Sequence, residues 1–296
     1  LYFDKETFSK VLTKARQGKG LKQREIAEDL MSRTTYSKIE RGIIVPGIVN
    51  FYNILSRLNM GFGEFFYLYN KYTLEDRWKI INAFKYTRAN TDVEKLTSIK
   101  EMCDNFLKNR QDKHITNIKN VCSALLKINE NDFEAAKILA NKVWDELSNR
   151  DTWFFDDIFL INNIFFIFEG DTMEEMYKRA IKYLNKYGEF RNNWGSKIRF
   201  SLEFNKLSYD IFYGERPKAL EKKIKELIIQ ARKLCYYDME AVLFIRLGMI
   251  QNDHTLVEKG FSILKVLELS ELMASCCKEV AVFESTNNNY TKLKTN

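Results

Sequence analysis

In 296 residues only two are proline and twelve are glycine, and this scarcity of helix breakers constrains the fold more than any other feature. Proline costs about 3 kcal/mol inside a helix and glycine about 1. A chain that avoids both, while repeating apolar residues at three- and four-residue spacing, is free to build one helix after another. Strand-like alternation is nearly absent, so the pattern predicts an all-α fold. No run approaches the ~20 uninterrupted apolar residues that a membrane span needs. The most apolar stretch, Ile158 to Phe168, is broken by Asn162 and Asn163 and reads as a buried helix.

The first seventy residues carry the sharpest local pattern. A first helix is predicted from about Thr7 to Gln17, with Phe8, Val11, Leu12 and Ala15 inward, ended by Gly18 and Gly20. Leu1, Tyr2 and Phe3 are left outside this pattern. A second helix covers Lys22 to Leu30, with Ile26, Ala27 and Leu30 inward. A third begins at Ser32, a good N-cap, turns Tyr36 and Ile39 inward and stops at Gly42. Pro46 opens a fourth, with Ile48, Phe51, Leu55 and Leu58 on one face, and a fifth follows through Glu64, Phe65 and Phe66.

Five short helices with a small residue inside the second fit a helix-turn-helix, because Ala27 leaves room for helices two and three to cross closely. With Tyr36 and Ile39 inward, Arg33, Thr34, Ser37 and Lys38 face outward, flanked by Ser32 and Thr35. Short hydroxyl donors and acceptors beside two cations suit base edges and phosphates in a major groove. Gln23, at the start of helix two, sits where a positive helix end and a side-chain amide can grip a phosphate. Residues 1–70 hold 11 Lys/Arg against 7 Asp/Glu, while the rest hold 36 against 33, so the basic surplus is concentrated here.

The ordered set Gly20-Leu21-Lys22-Gln23, Ile26-Ala27, Ser37-Lys38-Ile39-Glu40-Arg41-Gly42 and Pro46 closely resembles the XRE family of helix-turn-helix repressors. Arg16 and Glu40 resemble that family's structural ion pair and are assigned to scaffolding. Most XRE domains carry a glycine between helices two and three. Here the link is Leu30-Met31-Ser32-Arg33, without glycine and one residue shorter, which resembles the Rgg branch of peptide-responsive regulators in Gram-positive bacteria.

The remaining 226 residues read as paired helices. Second helices are expected near Asp132, Thr172, Pro217 and Thr255, and first helices near Asp151, Asn192 and Tyr236, a period close to forty. An earlier pair fits Leu74 to Arg88 and Asp92 to Arg110, and a final helix near Glu271 to Phe283 acts as a cap. A loose period of this length suggests a degenerate, right-handed tetratricopeptide-like solenoid of about five pairs. The expected domains are residues 4–70, 71–284 and a polar tail, 285–296, that frays.

The first helix of each pair lines a solenoid's concave surface, where extended peptides lie. Polar residues on otherwise apolar first helices are the candidates there: Asn162, Asn163, Asn205, Tyr209 and Arg246. Asparagine pairs with a peptide backbone and arginine with a carboxylate.

Catalytic signals are missing. His114 and His254 have no cysteine or acidic ligand at metal spacing, and there is no phosphate loop, dinucleotide fingerprint or nucleophile elbow. The expectation is a non-enzyme without cofactor or metal. Five cysteines without a framework point to free thiols in a reducing compartment, and no secretory signal is legible, so the cytoplasm is expected. The Rgg resemblance implies a homodimer through the C-terminal domain, double-stranded operator DNA, and a short hydrophobic signalling peptide returned to the cytoplasm. The alternative is a DNA-binding adaptor whose solenoid holds a folded protein partner.

Overall fold

A computed structural model describes residues 3–87, 92–188, 190, 194–213 and 217–294. Among the described residues all regular structure is helical, and the chain divides into two compact units, Leu1–Ala83 and Phe84–Asn296. The division falls inside a helix rather than at the expected boundary after residue 70.

The first unit contains α1 (Lys5–Gly18), α2 (Gln23–Ala27), α3 (Arg33–Glu40), α4 (Ile48–Arg57) and α5 (Phe62–Tyr69), and most of α6 (Asp76–Lys85). Asp4 caps α1 by accepting from the Thr7 amide at 2.9 Å, and Ser32 caps α3 by accepting from the Thr35 amide at 3.0 Å. The core gathers Phe8 and Leu12 of α1, Ile26 and Ala27 of α2, and Tyr36 and Ile39 of α3. Phe8, Phe51 and Phe65 meet with ring centroids 4.9–5.2 Å apart, tying α1, α4 and α5 together. Such pairs add about 0.5–1.5 kcal/mol beyond their burial. Phe3, which the sequence pattern left out, stacks on Tyr69 at 6.0 Å.

Two expectations in this unit are corrected. The second helix stops at Ala27, not Leu30, because Asp29 adopts φ +55°, the left-handed conformation that ends a helix. Aspartate tolerates that region better than most residues with a Cβ, so it takes the turn position that glycine usually holds. Ile48 is 69% exposed rather than inward, since α4 begins there and its burial starts one turn later at Phe51. Gly42, at φ +71°, closes α3 as expected, and a Cβ there would press on Ser9 Oγ at 3.2 Å.

The second unit continues with α7 (Val93–Leu107), α8 (Lys113–Asn129), α9 (Phe133–Ser148), α10 (Phe155–Asn162), α11 (Gly170–Leu184), α12 (Trp194–Tyr213), α13 (Pro217–Lys233), α14 (Tyr237–Gln251), α15 (His254–Val266) and α16 (Ser270–Lys294). Asp92, Asp112, Asp132 and Asp253 cap α7, α8, α9 and α15. Consecutive helices pack side by side. First helices also touch the next first helix, α8 on α10 and α10 on α12, which is how pairs stack into a solenoid. Ten consecutive residues of α14, Glu240 to Met249, are buried, because neighbours cover it all round. Gly260 of α15 lets the backbones of α14 and α15 close up: a Cβ there would lie 2.5 Å from the Ala241 carbonyl oxygen.

The structure departs from the expected pairs in two places. The first helix expected to start near Asp151 and run through the apolar stretch to Phe168 is α10 alone, followed by a 3₁₀ turn at Phe165–Ile167. Asn163 bonds its side-chain amide back to the Phe159 carbonyl at 2.8 Å, and Trp153 is held by the Leu147 carbonyl at 2.8 Å, outside the helix. The tail expected to fray from Ser285 instead continues the α16 backbone to Lys294. No glycine or proline interrupts that segment, and a helix already nucleated upstream propagates at one hydrogen bond per residue. The expected starts or ends at Asn192 and Arg88 lie outside the described residues.

Candidate functional site

Two sets of residues carry the candidate chemistry, one in each unit. In the first, α3 is held by its inward face. Glu40, at its C-terminal end, accepts from Arg16 Nε at 2.6 Å and Nη2 at 2.9 Å, and Arg16 Nη1 reaches the Leu21 carbonyl at 2.7 Å. The Arg16 and Glu40 side chains are 11% and 4% exposed. Burial raises the Glu40 pKa, but the bonds from Arg16 and Gln23 outweigh it and hold the carboxyl below its ordinary value. Burial also pushes the neighbouring Tyr36 phenol well above its ordinary range. Arg57 of α4 donates to the Glu25 and Ile26 carbonyls at 2.9 and 3.2 Å, fixing α2 from the other side. Nothing in the spacing of the sequence announced that clamp.

Against this frame Arg33, Thr34 and Lys38 are exposed, and their side chains bond to no described residue. Ser37 lies half-buried one turn on. The first turn of α3 contains no acidic residue, so its positive end is open to an anion. Three expected contacts are engaged within the protein. Ser32 and Thr35 share a hydroxyl contact at 2.9 Å in the N-cap, and Gln23 gives its amide to Glu40 at 2.8 Å. The surface left free by these contacts offers a planar cation, an ammonium and two hydroxyls on one short helix. That set can hydrogen-bond base edges and neutralise phosphates.

In the second unit the candidates fall on α10, α12 and α14. Asn162 of α10 is 8% exposed and donates to Ser201 Oγ of α12 at 3.1 Å, while its carbonyl oxygen Oδ1 is buried without a partner. One turn later on α12, Phe204 lies under the Arg246 guanidinium, 4.7 Å from ring centroid to guanidinium carbon. Arg246 of α14 is 6% exposed, and its Nη1 is also buried without a partner. Asn205, on the same turn of α12, is half-buried with no bonding partner among the described residues. One turn of α12, Ser201 to Asn205, therefore links Asn162 to Arg246. Asn163 spends its amide on the helix end, and Tyr209 sits under the Lys206 ammonium at 5.8 Å, so these two stand apart from that cluster.

Arg246 also has a partner that sequence reasoning missed: Glu279 of α16 accepts from its Nε at 2.7 Å and its Nη2 at 3.2 Å. A cap helix carrying a lone glutamate gives no sequence signal for such a pairing. Among the described residues no cluster of His, Cys, Asp or Glu could hold a metal, and no helix is long and apolar enough to cross a membrane.

A family model described as helix-turn-helix matches residues 12–65. No curated protein matches. Among solved structures the chain is similar to the SHP pheromone receptor Rgg2 of Streptococcus dysgalactiae, at 18% identity and TM-score 0.65, covering 93% of this chain and 99% of that one. It is similar to ComR from S. thermophilus in complex with DNA and its signalling peptide ComS, at 13% identity and TM-score 0.62, covering 94% and 99%. It is also similar to Bacillus thuringiensis PlcR in complex with the peptide PapR7 and DNA, at 13% identity and TM-score 0.60, covering 93% and 99%. At these identities the likeness establishes the fold: a helix-turn-helix domain followed by a helical-repeat unit, over nearly the whole chain.

Proposed function

We propose that this chain, a helix-turn-helix domain joined to a helical-repeat unit in the fold of Rgg2, ComR and PlcR, is a DNA-binding transcriptional regulator controlled by a short hydrophobic peptide. The observation that carries the reading is the outer face of α3, where Arg33 and Thr34 stand exposed and unpaired at the open positive end of a rigidly held helix and Lys38 stands exposed in its last turn. Arg33 and Ser37 are assigned to base edges, and Lys38 to a flanking phosphate. The peptide half rests on Asn162 Oδ1 and Arg246 Nη1, one acceptor and one donor, each buried and unbonded. An unsatisfied buried polar group costs about 1–3 kcal/mol, and an extended peptide supplies both complements through its backbone N–H and its terminal carboxylate. ComR and PlcR were each solved with a peptide and DNA together, which fits both halves.

A single helix-turn-helix reads few base pairs, so specificity calls for a homodimer with half-sites about 34 Å apart, and the repeat unit is assigned to hold the two copies together. The regulator is not assigned any catalysis or cofactor, and its place is the cytoplasm. The test selects duplexes from a random pool with the purified full-length protein. Fluorescence anisotropy then compares the enriched and scrambled sequences, with and without the peptide products of small reading frames beside its gene. Sequence enrichment that shifts with one of those peptides supports the proposal. Equal affinity for every duplex overturns the DNA half, and indifference to all the peptides overturns the other.

A further inference from the structure

The cap helix α16 does more than close the end of the repeat unit. It packs on both α14 and α15. Its Cys276 is buried with Ala241, Val242 and Ile245 of α14, and its Val280 and Phe283 pack on the same cluster, which also receives Phe204 from α12. It therefore covers part of one first helix, α14, the kind of element on which a peptide is expected to lie. Between these apolar anchors it places one carboxylate, Glu279, in bidentate contact with Arg246.

We propose that α16 is an internal occupant of the peptide site, with Glu279 holding Arg246 in place of the peptide's terminal carboxylate until the peptide displaces it. This rests on the peptide-receptor reading above. A helix segment with apolar side chains flanking a carboxylate has the same chemistry as a short hydrophobic peptide ending in a free carboxyl group. The exchange swaps one Arg–carboxylate pair for another, so Arg246 is never left as an unpaired buried charge, which is the costly state. Glu279 leaves Nη1 of Arg246 unbonded. A peptide terminus can offer that nitrogen an acceptor as well. Apparent peptide affinity is then reduced by the fraction of molecules in which α16 is seated.

The probe is a fluorescein-labelled pool of octapeptides drawn from Leu, Ile, Val, Phe, Trp, Gly and Ser with a free C-terminal carboxylate, beside the same pool amidated. Both are titrated into the full-length protein and into Glu279→Gln. With α16 seated in about nine molecules of ten, Glu279→Gln binds the carboxylate pool about tenfold tighter, and the amidated pool gains little. Hydrogen exchange over residues 272–284 rises in Glu279→Gln, and rises in the unaltered protein when the carboxylate pool is added. Equal or weaker binding of the carboxylate pool by the variant overturns the displacement. So does exchange in α16 that stays as slow as in α8 and α9 under both conditions. If neither pool binds either protein, the peptide reading itself fails and this inference falls with it. Should Glu279→Gln lose its helical circular dichroism, Glu279→Asp, which keeps the charge but withdraws it by one methylene, carries the same comparison.

Discussion

Gln23 Nε2 donates to Oε2 of Glu40 at 2.8 Å, so the residue that opens α2 is tied to the residue that closes α3. With Arg16 on the same carboxylate, three helices of the first unit meet at one buried charge. That junction sets the angle at which α3 presents its outer face.

Removing the charge breaks the junction. Glu40→Gln leaves Arg16 in a site where its side chain is 11% exposed, and breaking a buried pair of this kind costs about 3 kcal/mol. The Glu40 pKa is held below its ordinary value of 4.5. The stabilisation is therefore complete above that value and is lost as pH falls through the lowered one. Urea unfolding should show a wide gap between the natural protein and Glu40→Gln at neutral pH that narrows in acid. A gap independent of pH would count against the pairing.

Arg33→Ala and Ser37→Ala should each weaken binding to the selected duplex by about 1–3 kcal/mol, with fold and assembly unchanged. Arg33 is exposed with no internal partner, so its loss costs the folded protein little. Anisotropy on the selected and the scrambled duplex decides the role. Equal losses on both would leave a phosphate contact and no base reading.

Gly260→Ala should destabilise the second unit, by about 1–3 kcal/mol or more as an overpacking change. The added methyl would meet the Ala241 carbonyl oxygen and Ile245 Cγ1, both at 2.5 Å. Helix propensity favours alanine by about 1 kcal/mol, so a stabilised variant would mean that α14 and α15 part easily. Thermal unfolding followed by circular dichroism makes the comparison.

Asn205→Ala should lower peptide affinity severalfold, in line with the ~1 kcal/mol of a typical hydrogen bond, and leave DNA affinity without peptide unaltered. The side chain is half-buried and bonds to no described residue, so truncation breaks no internal hydrogen bond. Isothermal calorimetry on the full-length protein with the peptide that shifts its DNA binding is the measurement. An unchanged affinity would place the peptide elsewhere than over this turn of α12.

Much of this molecule follows from local rules that act within a few residues. Scarce glycine and proline with apolar residues at helical spacing set the all-helical class. Asp92, Asp132 and Ser32 marked helix starts because a short polar side chain reaches an amide three residues on. Gly42 marked a helix end because it alone takes a left-handed φ freely. The outer face of α3 was legible because burying Tyr36 and Ile39 leaves Arg33, Thr34 and Lys38 outside on any helix.

What the sequence could not show depends on groups far apart in the chain. Gln23 suits a phosphate by position, and only the fold brings Glu40 within reach of its amide. Asp29 looks unremarkable until the crossing of α2 and α3 demands a left-handed residue there. Asn162, Asn205 and Arg246 were each visible as polar residues on apolar helices, but nothing local joins them. One turn of α12 does so, through Ser201 and Phe204. Arg246 and Glu279 are 33 residues apart. Periodicity says which face of a helix is apolar; it does not say which helix will cover it, because that choice is made by the summed packing of the whole unit.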